Sequence, residues 1–203
     1  NMKIICIGRN YADHAKELNN EVPREPVIFL KPDTALLPKK TPFFIPDFSS
    51  DVHHELELVV RINRVGKHIE ERFANRYYEE VTVGIDFTAR DVQAACKAKG
   101  LPWEKAKAFD GSAPLGNWVK VGKRDIQNLN IELKLNEKTV QIGNTSDMLF
   151  SVDRLIAEVS KYFTLKIGDL LFSGTPAGVG KVEKGDQLTG FLEGEQLLSL
   201  AIR

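Results

Sequence analysis

Apolar and polar positions alternate through Asp51-Val-His-His-Glu-Leu-Glu-Leu-Val-Val60. From His53 onward this predicts a strand with His53, Glu55, Glu57 and Val59 on one face and His54, Leu56, Leu58 and Val60 on the other. Two carboxylates then converge, with Cβ atoms roughly 6.5 to 7 Å apart, a spacing able to share a hard cation. The same pattern also fits an edge strand with one solvated face.

Reading outward from this stretch, residues 3–7 predict a first strand, and Gly8-Arg-Asn-Tyr11 a turn into a short helix over residues 13–19. Residues 27–30 read as a strand ending at Lys31, and Pro38, Pro42 and Pro46 make the next segment irregular. Residues 70–80 predict a helix and 81–87 a strand with Asp86 near its end. Thr88 as N-cap with Asp91 at N3 opens a helix to about Lys99, ended by Gly100. Residues 131–135 and 139–142 form a hairpin around Asn136-Glu-Lys138, and Ser151 caps a helix reaching Tyr162. A strand over 169–172 runs into a glycine-rich loop, and a final hairpin spans residues 187–202. The sum is an α+β chain, mainly β, with a few short helices.

Composition narrows the function classes. The 203 residues carry 28 basic and 28 acidic side chains and are 42% hydrophobic. That is enough for a substantial core in one domain, 1–203, and it argues against nucleic acid or an anionic membrane as the main partner. Cys6 and Cys96 make neither a disulfide framework nor a metal-binding spacing. Residues 2–7 are too short for a secretory apolar region, and no run approaches the roughly 18 apolar residues that span a bilayer, so a cytoplasmic protein is expected.

The candidate chemistry lies in three places. His14 and Glu17, three positions apart, share a helix face, where the carboxylate can orient the imidazole as a general base; surface neighbours of this kind are also common. Glu55, Glu57 and Asp86 offer oxygen ligands suited to Mg²⁺ or Mn²⁺, with His53 and His54 able in principle to draw zinc; solvated acids fit the same spacing. Gly174-Thr-Pro-Ala-Gly-Val-Gly180 permits close backbone approach and can direct N–H groups or the Thr175 hydroxyl at an anionic oxygen. It lacks the phosphate-loop and dinucleotide-binding spacings.

Together, Gly8-Arg-Asn-Tyr-Ala-Asp-His14, Phe29-Leu-Lys-Pro32, His53-His-Glu-Leu-Glu57, Gly84-Ile-Asp-Phe-Thr-Ala-Arg-Asp-Val-Gln93, Gly100-Leu-Pro-Trp103, Ala106-Lys-Ala-Phe-Asp110 and Gly174-Thr-Pro-Ala-Gly-Val-Gly180 resemble the fumarylacetoacetate hydrolase family, in its order and over almost the whole chain. In particular, the chain is similar to its short acylpyruvase and oxaloacetate decarboxylase members. The resemblance implies a β-sandwich-like roll, a homodimer, and Mg²⁺ (or Mn²⁺) held by Glu55, Glu57 and Asp86. It implies His14 and Glu17 as a water-activating dyad on a lid helix and Lys107 as an active-site lysine. Lys31, Arg90 and Gln93 would hold substrate, with Thr175 on its carboxylate. The expected reaction is cleavage of acylpyruvates to pyruvate and a carboxylic acid, with oxaloacetate decarboxylation as a second output. The alternative is an isomerase or decarboxylase of 2-hydroxyhepta-2,4-diene-1,7-dioate or 5-carboxymethyl-2-hydroxymuconate, and the non-enzymatic alternative is a divalent-cation or keto-acid binding protein.

Overall fold

The computed structural model describes residues 2–17 and 22–203, with the side chains of residues 14–16 outside the description. In chain order the strands and helices are β1 (Ile4–Gly8), α1 (Ala12–Glu17), β2 (Val27–Lys31), β3 (Val52–His54), β4 (Leu56–Ile62), β5 (Tyr78–Ile85), β6 (Thr88–Ala89), α2 (Arg90–Ala98) and α3 (Glu104–Lys107). They continue as β7 (Val119–Lys120), β8 (Asn130–Leu135), β9 (Lys138–Asn144), α4 (Val152–Tyr162), β10 (Leu170–Phe172), β11 (Gly180–Lys181), β12 (Gln187–Leu192) and β13 (Glu195–Ala201). The architecture is the expected mixed α+β fold, predominantly β with short helices.

Three sheets organise it, in the orders β2-β1-β10-β4-β5-β7, β11-β3-β6 and β13-β12-β8-β9. Alternation on β4 and β5 sends Leu56, Leu58, Val60, Val81, Val83 and Ile85 toward Ile131, Leu133, Leu188 and Leu198 of the four-stranded sheet, which makes the main core. On β12, Gly190 permits close packing, because a Cβ there would lie 3.1 Å from Val83. The opposite face of the six-stranded sheet carries a smaller apolar cluster of Ile4, Cys6, Val59, Leu170 and Phe172. Glu57 alternates onto this second face, with Gly84 as its partner across the β4–β5 ladder.

Three local expectations change. The stretch 51–60 is two strands: β3 belongs to the three-stranded sheet and β4 to the centre of the six-stranded one, with the chain stepping between them at Glu55. β4 is buried on both faces and is not an edge. Residues 70–80 form a short 3-10 segment, Glu71–Tyr77, and then enter β5, because Tyr78 and the β-branched Val81 and Val83 are buried against β4. Thr88 lies in β6 opposite His53, and Ala89 precedes α2 without a side-chain cap. Asp91 instead accepts from Ser49 Oγ at 2.6 Å and from the Ser50 N–H at 3.0 Å, tying α2 to the loop before β3.

The Asn136-Glu137 turn has two positive φ angles, 49° and 69°, as a tight hairpin with the twist of its strands demands. Ser151 accepts from the Arg154 N–H at 3.1 Å and opens α4 as the sequence predicts. Among the described residues, no helix is long and apolar enough to cross a membrane.

Candidate metal centre

Four chain segments meet over the second face of the six-stranded sheet. The step from β3 to β4 presents Glu55, β4 presents Glu57, the residue after β5 is Asp86, and the loop after β10 supplies Gly174 and Thr175. Ligand atoms of Glu55, Glu57 and Asp86 all lie within 4.8 Å of one another, and all three residues are buried. Hard oxygen donors in this number suit Mg²⁺ or Mn²⁺, leaving positions for water or a chelating ligand. Neither histidine joins the group. His53 Nε2 lies 2.9 Å from Asp51 Oδ1, and His54 Nδ1 lies 2.9 Å from Gln141 Oε1.

The acids are interleaved with cations. Lys107, at the end of α3, donates from Nζ to Glu55 Oε2 and Asp86 Oδ2, both at 2.7 Å, and lies 5.4 Å from the Phe29 ring centroid. Arg90 donates from Nη2 to Glu55 Oε1 at 2.6 Å and from Nη1 to Gln93 Oε1 at 2.9 Å. Lys31 approaches Asp86 Oδ1 from the far side at 2.7 Å, held there by the Ser112 carbonyl and hydroxyl, each 3.0 Å away. Glu55 and Asp86 are thus paired with three cationic side chains in a largely dry region, the arrangement that keeps buried charge tolerable, while Glu57 is met by the Gly174 N–H.

The electrostatics follow from this packing. Burial pushes Glu57 well above the usual carboxylate range, and the Asp86 and Glu55 charges add to the shift, against the Gly174 N–H that donates to its Oε2 at 2.7 Å. For Lys107, burial works against the ammonium, but Asp86 and Glu55 outweigh it and raise its pKa. The Cys6 thiol beneath the cluster is pushed up by burial first and by Asp86 second, which keeps it an inert thiol.

A cavity of about 30 Å³, room for a water or two, opens among Glu55, Glu57, Asp86, Arg90, Lys107 and Thr175. Gln93 lines it too. Lys31 does not; its Nζ stands behind Asp86 as a counter-charge. Within the cavity, Arg9, Lys97 and Trp103 also line it. The Lys97 ammonium sits 5.5 Å from the Trp103 ring centroid and is held below its usual pKa by burial, then by Arg9 and Arg90. Arg90 Nε has no hydrogen-bond partner among the described residues and remains a donor to spare.

The rest of the predicted set is placed as follows. The backbone of His14 lies in α1, and its side chain is outside the described residues. Glu17 is exposed and accepts from the Gly178 N–H at 3.0 Å, so α1 rests against the glycine-rich loop. Thr175 Oγ1 accepts from Gln141 Nε2 at 2.8 Å. Sequence reasoning overlooked Arg9, Asn10, Lys97, Ser112 and Gln141. A signal existed for Lys97, which follows Arg90 and Gln93 at i+7 and i+4 on the same face of α2. Asn10 had none, although its fully buried amide links the Ser173 carbonyl at 2.8 Å to the Phe150 carbonyl at 3.0 Å and the Phe150 N–H at 2.8 Å.

This buried acid cluster at the mouth of a largely β fold is the type of centre that divalent-cation enzymes use. The family described as fumarylacetoacetate (FAA) hydrolase C-terminal matches residues 3–200, and the chain belongs to that family. It is 44% identical over 197 residues to oxaloacetate tautomerase YcgM of Escherichia coli (strain K12), covering 96% of this chain and 90% of that protein. Mitochondrial oxaloacetate tautomerase FAHD1 of Bos taurus is 44% identical over 192 residues, covering 94% of this chain and 87% of the relative. The crystal structure of fumarylpyruvate hydrolase from Pseudomonas aeruginosa in complex with Mn2+ and pyruvate matches with a TM-score of 0.93 at 34% identity, over 98% of this chain and 88% of that one. Family and acid cluster together support divalent-cation-dependent catalysis.

Proposed function

We propose that the chain is a divalent-cation-dependent tautomerase of small 2-keto dicarboxylates, with the enol and keto forms of oxaloacetate as its substrate pair. The observation that carries this reading is the cavity itself, with three clustered carboxylates on its floor and Arg90, Lys107 and Lys97 on its walls. The names of the 44%-identical relatives point to the same reaction and away from acylpyruvate hydrolysis as the main one.

Tautomerisation moves one proton and breaks no carbon–carbon bond. The enol loses the proton of its C2 hydroxyl, and C3 gains one. A cation held by Glu55, Glu57 and Asp86, Mg²⁺ in this reading, would supply Lewis-acid stabilisation of the charge that develops at C2 oxygen. Lys107 adds a fixed positive charge on the same side. Arg90, steadied by Gln93, and the Thr175 hydroxyl hold the carboxylates, while His14, oriented by Glu17, serves C3 as proton carrier. The same reading takes residues 1–203 as one catalytic domain that pairs as a homodimer.

A second reading, hydrolysis of acylpyruvates, is favoured by the likeness to the fumarylpyruvate hydrolase structure. One experiment separates the two. The decay of the enol absorbance of oxaloacetate is followed alongside pyruvate release from oxaloacetate and acetylpyruvate, with and without Mg²⁺. Magnesium-dependent loss of enol without pyruvate, abolished in Glu57→Ala and strongly reduced in His14→Ala, is expected. Pyruvate release from acetylpyruvate faster than any effect on the enol overturns the tautomerase reading. Full activity of Glu57→Ala in saturating metal overturns the ligand set.

A further inference from the structure

Gln141 sits on β9, and its side chain is 1% exposed although both sequence neighbours are apolar. The period-2 pattern would turn Val140 and Ile142 inward; instead Ile142 is 70% exposed and Gln141 faces the interior. Every polar atom of the amide is used. Oε1 accepts from the Leu56 N–H at 2.9 Å and lies 2.9 Å from His54 Nδ1. Nε2 donates to Thr175 Oγ1 at 2.8 Å and to the Pro176 carbonyl at 2.9 Å. Gly143, two residues on, lets Pro176 lie directly on β9; a Cβ there would come within 2.7 Å of the proline ring.

The donor and acceptor roles are not free to exchange. Leu56 N–H can only donate, so the oxygen of the amide must face it, and the NH₂ group must face Thr175. Thr175 Oγ1 therefore accepts from Gln141, and its own hydrogen is left over. Among the described residues, the other acceptor beside it is the Pro176 carbonyl, at a long 3.4 Å and already bonded to Gln141. Thr175 lines the cavity, so its hydrogen is available to a ligand oxygen there.

We propose that Gln141 is a positioning residue that commits the Thr175 hydroxyl to donate into the cavity, matching it to an anionic ligand oxygen. The same amide stands in for a strand partner at Leu56, next to Glu55, so it also sets the step between β3 and β4. This inference rests on the reading that Thr175 contacts the ligand carboxylate.

The test uses oxalate, a planar dianion resembling an enolised 2-keto acid, titrated into the Mn²⁺-loaded protein by calorimetry. Gln141→Glu keeps an acceptor for Leu56 and His54 and removes only the donation to Thr175, which must then turn its hydrogen toward the new carboxylate. Thr175→Val removes the hydroxyl and keeps the shape. Each single variant is expected to weaken oxalate about 10- to 100-fold, the loss of a hydrogen bond to a charged group. The double variant should be no weaker than the worse single, with Mn²⁺ affinity alone within about threefold of the parent.

Losses that multiply in the double variant would mean simple repulsion of oxalate by the introduced carboxylate and would overturn the proposal. Unchanged oxalate affinity in Gln141→Glu, with Thr175→Val weakened, would overturn the positioning role alone. Unchanged affinity in Thr175→Val would overturn the underlying carboxylate contact as well. If Gln141→Glu does not fold, Gln141→Met, which keeps length and removes both polar functions, must show the same non-additivity with Thr175→Val.

Discussion

The backbone N–H of Gly174 donates to Glu57 Oε2 at 2.7 Å, so the glycine-rich loop and one of the clustered acids are held as a unit. Gly174 has φ of 99°, and a Cβ there would lie 2.7 Å from Asn10 Cβ. Gly174→Ala should therefore cost about 1–3 kcal/mol of stability through backbone strain and collision. It should also weaken Mn²⁺ binding by displacing Glu57. Thermal melting with Mn²⁺ titration checks both, and a variant with parental melting temperature would refute the close-packing argument.

Lys31, Lys107 and Arg90 already face Glu55, Glu57 and Asp86. A divalent cation entering alone adds uncompensated positive charge; a dianion entering with it restores the balance. Mn²⁺ and oxalate should therefore bind cooperatively, each raising the affinity of the other by the same factor, as linkage requires. Calorimetric titrations in both orders measure it. Independent binding would contradict the charge-balance argument.

Lys97 extends the Arg90–Gln93 face of α2 to the cavity rim, beside Arg9. A second carboxylate on the substrate is the group this rim would meet. Lys97→Met should raise the KM for oxaloacetate severalfold to about tenfold, as expected for one charged contact, and leave kcat and the affinity for oxalate nearly unchanged. A fall in kcat with constant KM would argue instead for a role at the reacting carbon.

His53 and His54 are both held below the ordinary imidazole value, in each case by burial first; Arg90 adds to it for His53, and the neighbouring His53 for His54. Their depressed values mean that the unfolded chain binds more protons than the folded one. This contribution is complete above the unfolded value of about 6.5 and is lost as pH falls through it, at up to about 1.4 kcal/mol per pH unit for each histidine. Melting of metal-chelated protein between about pH 7 and pH 5 should show the loss. His54→Asn, whose amide can replace Nδ1 as donor to Gln141, should flatten it, and an unchanged slope would count against buried neutral histidine.

Much of this architecture was legible. The alternation in β4, the hairpin at Asn136-Glu137 and the Ser151 cap follow from local rules, and the acids of the cluster were visible as a charged interruption of apolar strands. The break at Glu55 was not, since a two-residue period runs through it without a change; what breaks the strand is the transfer of the chain from one sheet to another, a tertiary event. Residues 70–80 misled because helical spacing of Phe73 and Tyr77 competes with burial of Tyr78 on β5. Gln141 was hidden for the opposite reason. Its flanking Val140 and Ile142 suggest an ordinary half-buried strand, and only the location of Thr175 across the core turns the polar residue inward.

The ammonium groups of Lys31 and Lys107 act as built-in counter-ions for the acid cluster. Folding and metal loading are therefore separable events, unlike those of small domains whose ligands repel one another until an ion arrives. A chelator should strip this protein of activity and leave it folded. Newly made chains can wait, assembled, for whatever magnesium the compartment supplies, and the ion concentration then acts as a throttle on catalysis without touching the protein's survival.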